Sequence, residues 1–333
     1  MFEPYWIRGT RPPHQSLNTP SMTESRPVAT YALTETEKLI VEDTIRECVP
    51  PYQPNDYRSF MEGCRRAAGR LPTTILSWRD RGRTVDVALL QNLPVGSPLP
   101  ATPCDRPGPQ AVSMMADAVI GTFATLYGTL YTIQGKAAGR HIHDVCPVRG
   151  DEYTQLGSSQ TGLLWHVEEA FHPMRPTWLS LLCLRGDPGA VTKVARARDL
   201  DLPAGLALSL RERCFKLQVD ETYGSLKEAA TAMTCVLAGP TDDPEIVLDP
   251  AYTLYEDESQ LAQVNVVADA AERAHQAFTL QEGDLLVFNN RRAVHARTAF
   301  APRKDGMDRW LKRAFMIDGD AVVNLDSNGC IHF

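Results

Sequence analysis

The apolar positions of this chain change period several times, and each change marks an element. Residues 1–30 show no periodicity and are rich in Pro, Ser, Thr and Arg. Such a segment buries too little apolar surface to order itself and reads as a disordered tail. Within it, Met22 precedes Thr-Glu-Ser-Arg-Pro as a second candidate translation start. From Thr34 the period becomes helical: Thr34-x-x-Glu37 has the form of a capping box, and Leu39, Ile40, Ile45 and Val49 fall near helical spacing. A second helix is expected over 57–69. The stretch 73–93 reads as extended segments, 97–110 as a Pro-rich loop, and 112–126 as a buried helix.

In the middle of the chain the signals turn to strands. Residues 163–167, 177–184, 284–288 and 310–317 are short apolar runs bounded by turn formers. Helices are expected over 203–215, where Pro203 suits the first helical position, and over 259–278, which carries Ala268, Ala270, Ala271, Ala274 and Ala277. No internal repeat is visible. Short strands with long irregular insertions predict a mainly β domain with flanking α-helices, a β-sandwich or jelly roll, over residues 31–333.

Composition narrows the class. Of 333 residues, 43 % are hydrophobic and 23 % charged, which excludes a disordered or collagen-like chain. Lys and Arg number 34 and Asp and Glu 41, a net charge of −7, which disfavours a nucleic-acid partner. The eight cysteines include no C-x-x-C pair and read as reduced thiols of a cytoplasmic protein. No membrane span is expected: the uncharged run 87–104 contains four prolines, and 118–135 reads as helix plus strand. Residues 1–30 have no apolar core of signal-peptide type.

Candidate chemistry concentrates in Trp165-His166-Val167-Glu168. In a strand, residues i and i+2 share a face, so His166 and Glu168 can present a nitrogen and a carboxylate oxygen together. A second histidine would complete a two-His-one-carboxylate face with open positions, as non-haem iron(II) requires. An isolated H-x-E is common, and the third ligand has several candidates: His172, the His141/His143 pair, and His295. His14, His275 and His332 lie in the tail, a helix and the C-terminus. His295 follows a turn and an apolar strand, with a loop delivering it. Arg309 and Arg313 share a strand face entered through a Gly turn. They are either a solvated, salt-bridged edge or a pair of carboxylate receptors.

With these segments in view, the chain resembles the clavaminate-synthase-like branch of the iron(II)/2-oxoglutarate oxygenases, related to taurine dioxygenase. It is most similar to hydroxylases of free arginine, asparagine, lysine and citrulline in peptide-antibiotic biosynthesis. The carriers are LLWHVEEAFHPMRPTWLSLLCLRGD (163–187), Thr192, GDLLVFNNRRAVHARTAF (283–300) and KDGMDRWLKR (304–313). The resemblance implies a distorted double-stranded β-helix, a jelly roll, with a lid loop near 216–226. It implies His166, Glu168 and His295 as ligands of Fe(II), with 2-oxoglutarate and O2 as cosubstrates. It implies Arg309, assisted by Thr192, as receptor of the 2-oxoglutarate distal carboxylate, and Arg313 as receptor of the substrate α-carboxylate. Gln134 is implied at the amino-acid head group, where Glu168 also faces the substrate ammonium.

One departure bears on the substrate. Arginine hydroxylases of this kind carry an Asp-x-Asp that clamps the guanidinium, whereas this chain reads Asp249-Pro250-Ala251. A urea end, as in citrulline, or a single ammonium, as in lysine, needs fewer carboxylates. Asp249 is otherwise a turn residue before proline. Asp220 and Thr222 could supplement it from the lid. Retention of Glu168, which related halogenases replace by a small residue, implies hydroxylation. A zinc hydrolase would have no use for Arg309 and Arg313, and a non-catalytic jelly-roll binder would have no reason to place His166, Glu168 and His295 as they stand.

Overall fold

The computed structural model describes residues 27–105, 114–220, 222–223, 231–318 and 325–332. Among the described residues the larger sheet has eight strands. Its order is β1 (Ala29–Ala32), β2 (Val87–Gln91), β14 (Leu285–Asn289), β6 (Trp178–Arg185), β16 (Trp310–Ile317), β3 (Thr129–Ile133) and β17 (Cys330–Ile331). β4 (Ile142–Val145) also pairs with β16. A four-stranded sheet runs β13 (Gln276–Phe278), β7 (Thr192–Arg196), β15 (Ala293–Arg297) and β5 (Leu163–His166). β12 (Thr253–Leu254), β8 (Cys214–Gln218) and β9 (Thr231–Cys235) form a third sheet, and β10 (Leu237–Ala238) pairs with β11 (Glu245–Ile246).

The period of two along β16 divides the interior. Leu311, Phe315 and Ile317 pack with Val194, Val294 and Ala296 of the four-stranded sheet. Trp310, Ala314 and Met316 point the other way, into a core with residues of helices α1 (Glu35–Cys48), α2 (Tyr57–Ala68), α3 (Thr73–Val85) and α4 (Met115–Ala124). β6 divides likewise, with Leu179, Leu181 and Cys183 on one side and Trp178, Leu182 and Leu184 on the other. Burial on both faces explains why these strands read as continuous apolar runs. On the helix-facing side, Lys312 Nζ lies 2.9 Å from Asp117 Oδ1 and 2.7 Å from Asp144 Oδ1, with all three side chains at most 2 % exposed. Helix α5 (Ala204–Glu212) precedes β8, and α6 (Glu258–Ala274) covers the smaller sheet through Val264, Val267, Ala271 and Ala274.

Several expectations need correction. The Thr34/Glu37 capping box is present, with Glu37 N donating to Thr34 Oγ1 at 3.2 Å and Thr34 N donating to Glu37 Oε2 at 2.9 Å. Residues 73–93 are not extended throughout: α3 occupies most of them. Its buried Ile75, Trp78 and Gly82 recur at helical spacing, a period that neighbouring β-branched residues obscure. The helix expected over 203–215 ends at Glu212, and Cys214 begins β8. The helix expected over 259–278 ends at Ala274, and 276–278 form β13. Ala29 and Thr30, placed in the tail, belong to β1, where the Trp78 indole N–H donates to Ala29 O at 2.9 Å. The rest of the tail through residue 26, Met22 and His14 included, lies outside the described residues, as do 106–113. Of the lid expected at 216–226, residues 216–218 are strand β8, and Glu221 and 224–226 lie outside the described residues. Cys214 Sγ and Cys235 Sγ, on paired strands, are 3.3 Å apart. Among the described residues no helix is long and apolar enough to cross a membrane.

Candidate active site

His166 ends β5 and His295 lies in β15, and the two are direct partners across the strand pair, with ring centroids 4.1 Å apart. Glu168 is not on the strand as the i, i+2 argument assumed, and His295 is on a strand and not a loop. Glu168 opens the turn after β5. Buried Asn290 fixes that turn: its side chain accepts from Glu168 N at 2.8 Å and donates to Glu168 O at 3.1 Å. The carboxylate is thereby carried to the histidines, with Glu168 Oε2 3.7 Å from His295 Nε2. Ligand atoms of His166, Glu168 and His295 all lie within 4.8 Å of one another.

The protonation states suit a divalent metal. His166 Nδ1 is 2.7 Å from Leu164 O; a carbonyl only accepts, so Nδ1 carries the proton and Nε2 offers its lone pair. Burial and the neighbouring His295 lower the His166 imidazole to about 3, so it is neutral near pH 7. Burial raises the Glu168 carboxyl, but Arg313 and His295 outweigh it and hold the group well below the carboxylate range. Two imidazoles and an ionised carboxylate fit iron(II) with open coordination positions.

Three arginines line the same cavity, Arg297, Arg309 and Arg313. Arg309 is buried and has no ion-pair partner among the described residues; burial pushes it down to about 10. A buried unpaired cation requires an anion. Thr192, at the start of β7, lines the same cavity. Arg313 Nη1 donates to Glu168 Oε1 at 2.5 Å, and its Nη2 lies 3.2 Å from His143 Nδ1. His143 Nε2 is 2.9 Å from Arg140 O, so Nε2 is the donor and Nδ1 accepts from Arg313. Burial, then Arg313 and Lys136, keep His143 neutral, well below its ordinary range. The H-x-H pair thus supports an arginine and not a metal: His141 instead contacts Tyr52 and Asn328 O. His172 sits on a turn and accepts from Met174 N. His275 lies beside Trp165, and His332 pairs with Asp326 at the surface.

The remaining wall is polar. Gln134, expected at the head group, is exposed and does not line the cavity; its backbone N–H donates to Ile331 O at 2.8 Å. Lys136 enters instead, from a short turn in which Ala137 and Ala138 have φ 46° and 54°. Its Nζ lies 2.8 Å from Glu169 Oε1, 3.1 Å from Asp220 Oδ2 and 3.3 Å from Thr222 Oγ1. Thr222 N and Oγ1 both donate to Asp220 Oδ1. Glu169 has φ 56°, and its carboxylate accepts from Tyr223 OH at 2.6 Å. Asp249 and Ala251 line the same cavity, and burial raises Asp249 from 3.8 to about 8.

Sequence reasoning missed Lys136, His143 as a support, Glu169, Asn290 and Arg297. Arg297 shares the His295 face by the i, i+2 rule, and its guanidinium donates to Gly157 O, Ser159 O and Thr161 O, pinning the loop before β5. That signal was available. Lys136, Glu169 and Asn290 act through turns that spacing does not encode, and His143 acts from β4 through a strand pairing with Arg313 that spacing does not encode either.

Residues 235–315 match the family described as taurine catabolism dioxygenase TauD, TfdA. The chain is 30 % identical over 295 residues to the enduracididine beta-hydroxylase of Streptomyces hygroscopicus, covering 79 % of this chain and 86 % of the relative. It is 31 % identical over 308 residues to the L-lysine 3-hydroxylase of Catenulispora acidiphila, covering 87 % and 84 %. Among solved structures, asparagine oxygenase in complex with Fe(II), 2S,3S-3-hydroxyasparagine and succinate superposes with a TM-score of 0.85 at 27 % identity, over 92 % of this chain and 99 % of that one. The chain belongs to the iron(II)/2-oxoglutarate-dependent oxygenases of the TauD/TfdA family, in the group that acts on amino acids.

Proposed function

We propose that this enzyme hydroxylates an unactivated C3 or C4 carbon of a free L-amino acid with a long polar side chain, citrulline or arginine. The reading extends to a jelly-roll fold for residues 31–333 and to a place in peptide-antibiotic biosynthesis. The observation that carries it is the meeting of two incompletely paired guanidiniums, Arg309 and Arg313, with His166, Glu168 and His295 in one cavity. Two fixed cations match two carboxylates, one on the cosubstrate and one on the amino acid.

His166, Glu168 and His295 would hold iron(II). Iron(II), 2-oxoglutarate and O2 together supply the oxidising power for C–H hydroxylation, with succinate and carbon dioxide as coproducts. Arg309 and Thr192 bind the distal carboxylate of 2-oxoglutarate. Arg313, braced by neutral His143, takes the α-carboxylate of the substrate, and Glu168 lies beside it to face the ammonium. Asp249, supplemented by Asp220 and Thr222, lines the region for the side chain. The position hydroxylated follows from which C–H these contacts hold nearest the metal.

The test is direct. Purified protein with iron(II), ascorbate and 2-oxoglutarate is offered the common amino acids, citrulline and ornithine. The expected result is succinate formation coupled to a singly oxygenated amino acid, lost in His166→Ala. Absence of coupled product with every amino acid would overturn the substrate assignment and point to a carrier-bound or peptide substrate.

A further inference from the structure

A cationic side chain entering this cavity needs a carboxylate that is free to meet it. Lys136 already occupies two. Its side chain is 8 % exposed, it lies within 3.1 Å of oxygens of both Glu169 and Asp220, and Thr222 Oγ1 is a third neighbour. Neither carboxylate is loosely held: Tyr223 OH donates to Glu169, and Thr222 donates twice to Asp220. The Lys136 ammonium also sits 5.0 Å from the centroid of the Tyr223 ring. A guanidinium or second ammonium would have to share these acids with a buried like charge, and like charges a few ångströms apart repel strongly where water is excluded.

The lining has the complement of a neutral polar group. Lys136 Nζ can donate, while the Thr222 hydroxyl oxygen, whose proton goes to Asp220, and the Glu169 and Asp220 oxygens accept. Asp249, raised by burial to about 8, is a protonated acid near neutral pH and adds a donor. Ala251 offers no further charge where it lines the cavity. A urea or carboxamide presents one carbonyl acceptor beside N–H donors and satisfies both kinds of partner.

We infer that the side chain accepted here ends in an uncharged urea or carboxamide, and that Lys136 determines this specificity by excluding guanidinium and ammonium ends. The inference rests on the amino-acid hydroxylase reading and selects within it.

The test compares kcat/KM of the full-length enzyme for neutral amino acids (citrulline, glutamine, asparagine) and cationic ones (arginine, lysine, ornithine). Binding to the iron(II)- and 2-oxoglutarate-loaded protein is measured in parallel by anaerobic calorimetry. The expected wild-type preference is for a neutral member. Lys136→Met is expected to raise the arginine-to-citrulline ratio about tenfold or more, and Lys136→Arg to keep the wild-type order. Lys136→Gln, which retains a donor without charge, provides the same readout if the Met variant does not fold. A wild-type preference for a cationic member, or a ratio unmoved by loss of the charge, would overturn the inference while leaving the hydroxylase reading intact. Binding of none of the six would overturn both.

Discussion

Lys312 and Arg313 are neighbours on β16 and meet opposite surroundings. Lys312 points toward the helices and finds two buried carboxylates, Asp117 and Asp144. Arg313 points into the cavity, where its one carboxylate partner is Glu168, a group a bound metal would share, and its Nε has no partner among the described residues. Arg309, just before the strand, has no ion-pair partner there. The difference separates structure from function. A buried cation with its counterions built in holds elements together, whereas one left incompletely paired beside a cavity holds a place for an anion.

The comparison can be broken by removing each charge in turn. The largest stability effect is expected for Lys312→Met, which strands two buried carboxylates and should cost about 3–5 kcal/mol. Denaturant unfolding measures this, with 2-oxoglutarate affinity of the folded fraction unchanged.

A smaller effect appears in acid. Burial lowers His141, on the helix-facing side, from 6.5 to about 4. The unfolded chain takes up this proton below pH 6.5 and the folded chain does not, so stability falls as pH drops from 6.5 towards 4. The contribution reaches about 3 kcal/mol at the acid end. His141→Gln should flatten the slope of unfolding free energy against pH in that window; an unchanged slope contradicts the assignment.

On the cavity side the expected losses are of binding. Arg309→Ala should raise the Kd for 2-oxoglutarate roughly 10- to 100-fold, the weight of a charge-assisted hydrogen bond. Unfolding free energy should be unchanged or slightly higher, since an unpaired buried cation is gone. His143→Phe is milder: it removes one neutral acceptor from Arg313 and should raise KM for the amino acid about three- to tenfold. In that variant 2-oxoglutarate affinity stays put, which steady-state kinetics with each substrate varied would check.

The strand-borne half of the site was legible in the sequence, and the turn-borne half was not. Arg313 sits on a strand that reads as an apolar run with polar interruptions, whereas His295, expected on a loop after such a run, lies on the next strand. Glu168 reached the site by another route than the one argued. β5 ends at His166, and Asn290, more than a hundred residues on, sets the turn that aims the carboxylate. Gln134 and Lys136 mark the limit. They are two residues apart at the end of β3, and the left-handed Ala137 and Ala138 belong to the turn that presents the lysine, not the glutamine, to the cavity. Alanines at positive φ carry no sequence signal, because their preference runs against it. In the fold, α3 was hidden by Thr73, Thr74, Ile75 and Val85, whose branching favours strands, while Ile75, Trp78 and Gly82 kept the helical period facing the core.

The most direct test is anaerobic calorimetry of 2-oxoglutarate binding to iron(II)-loaded protein, wild type beside Arg309→Ala and Lys312→Met at a temperature where all are folded. The account predicts that affinity collapses with loss of Arg309 and is untouched by loss of Lys312. Equal 2-oxoglutarate affinity in wild type and Arg309→Ala would contradict it.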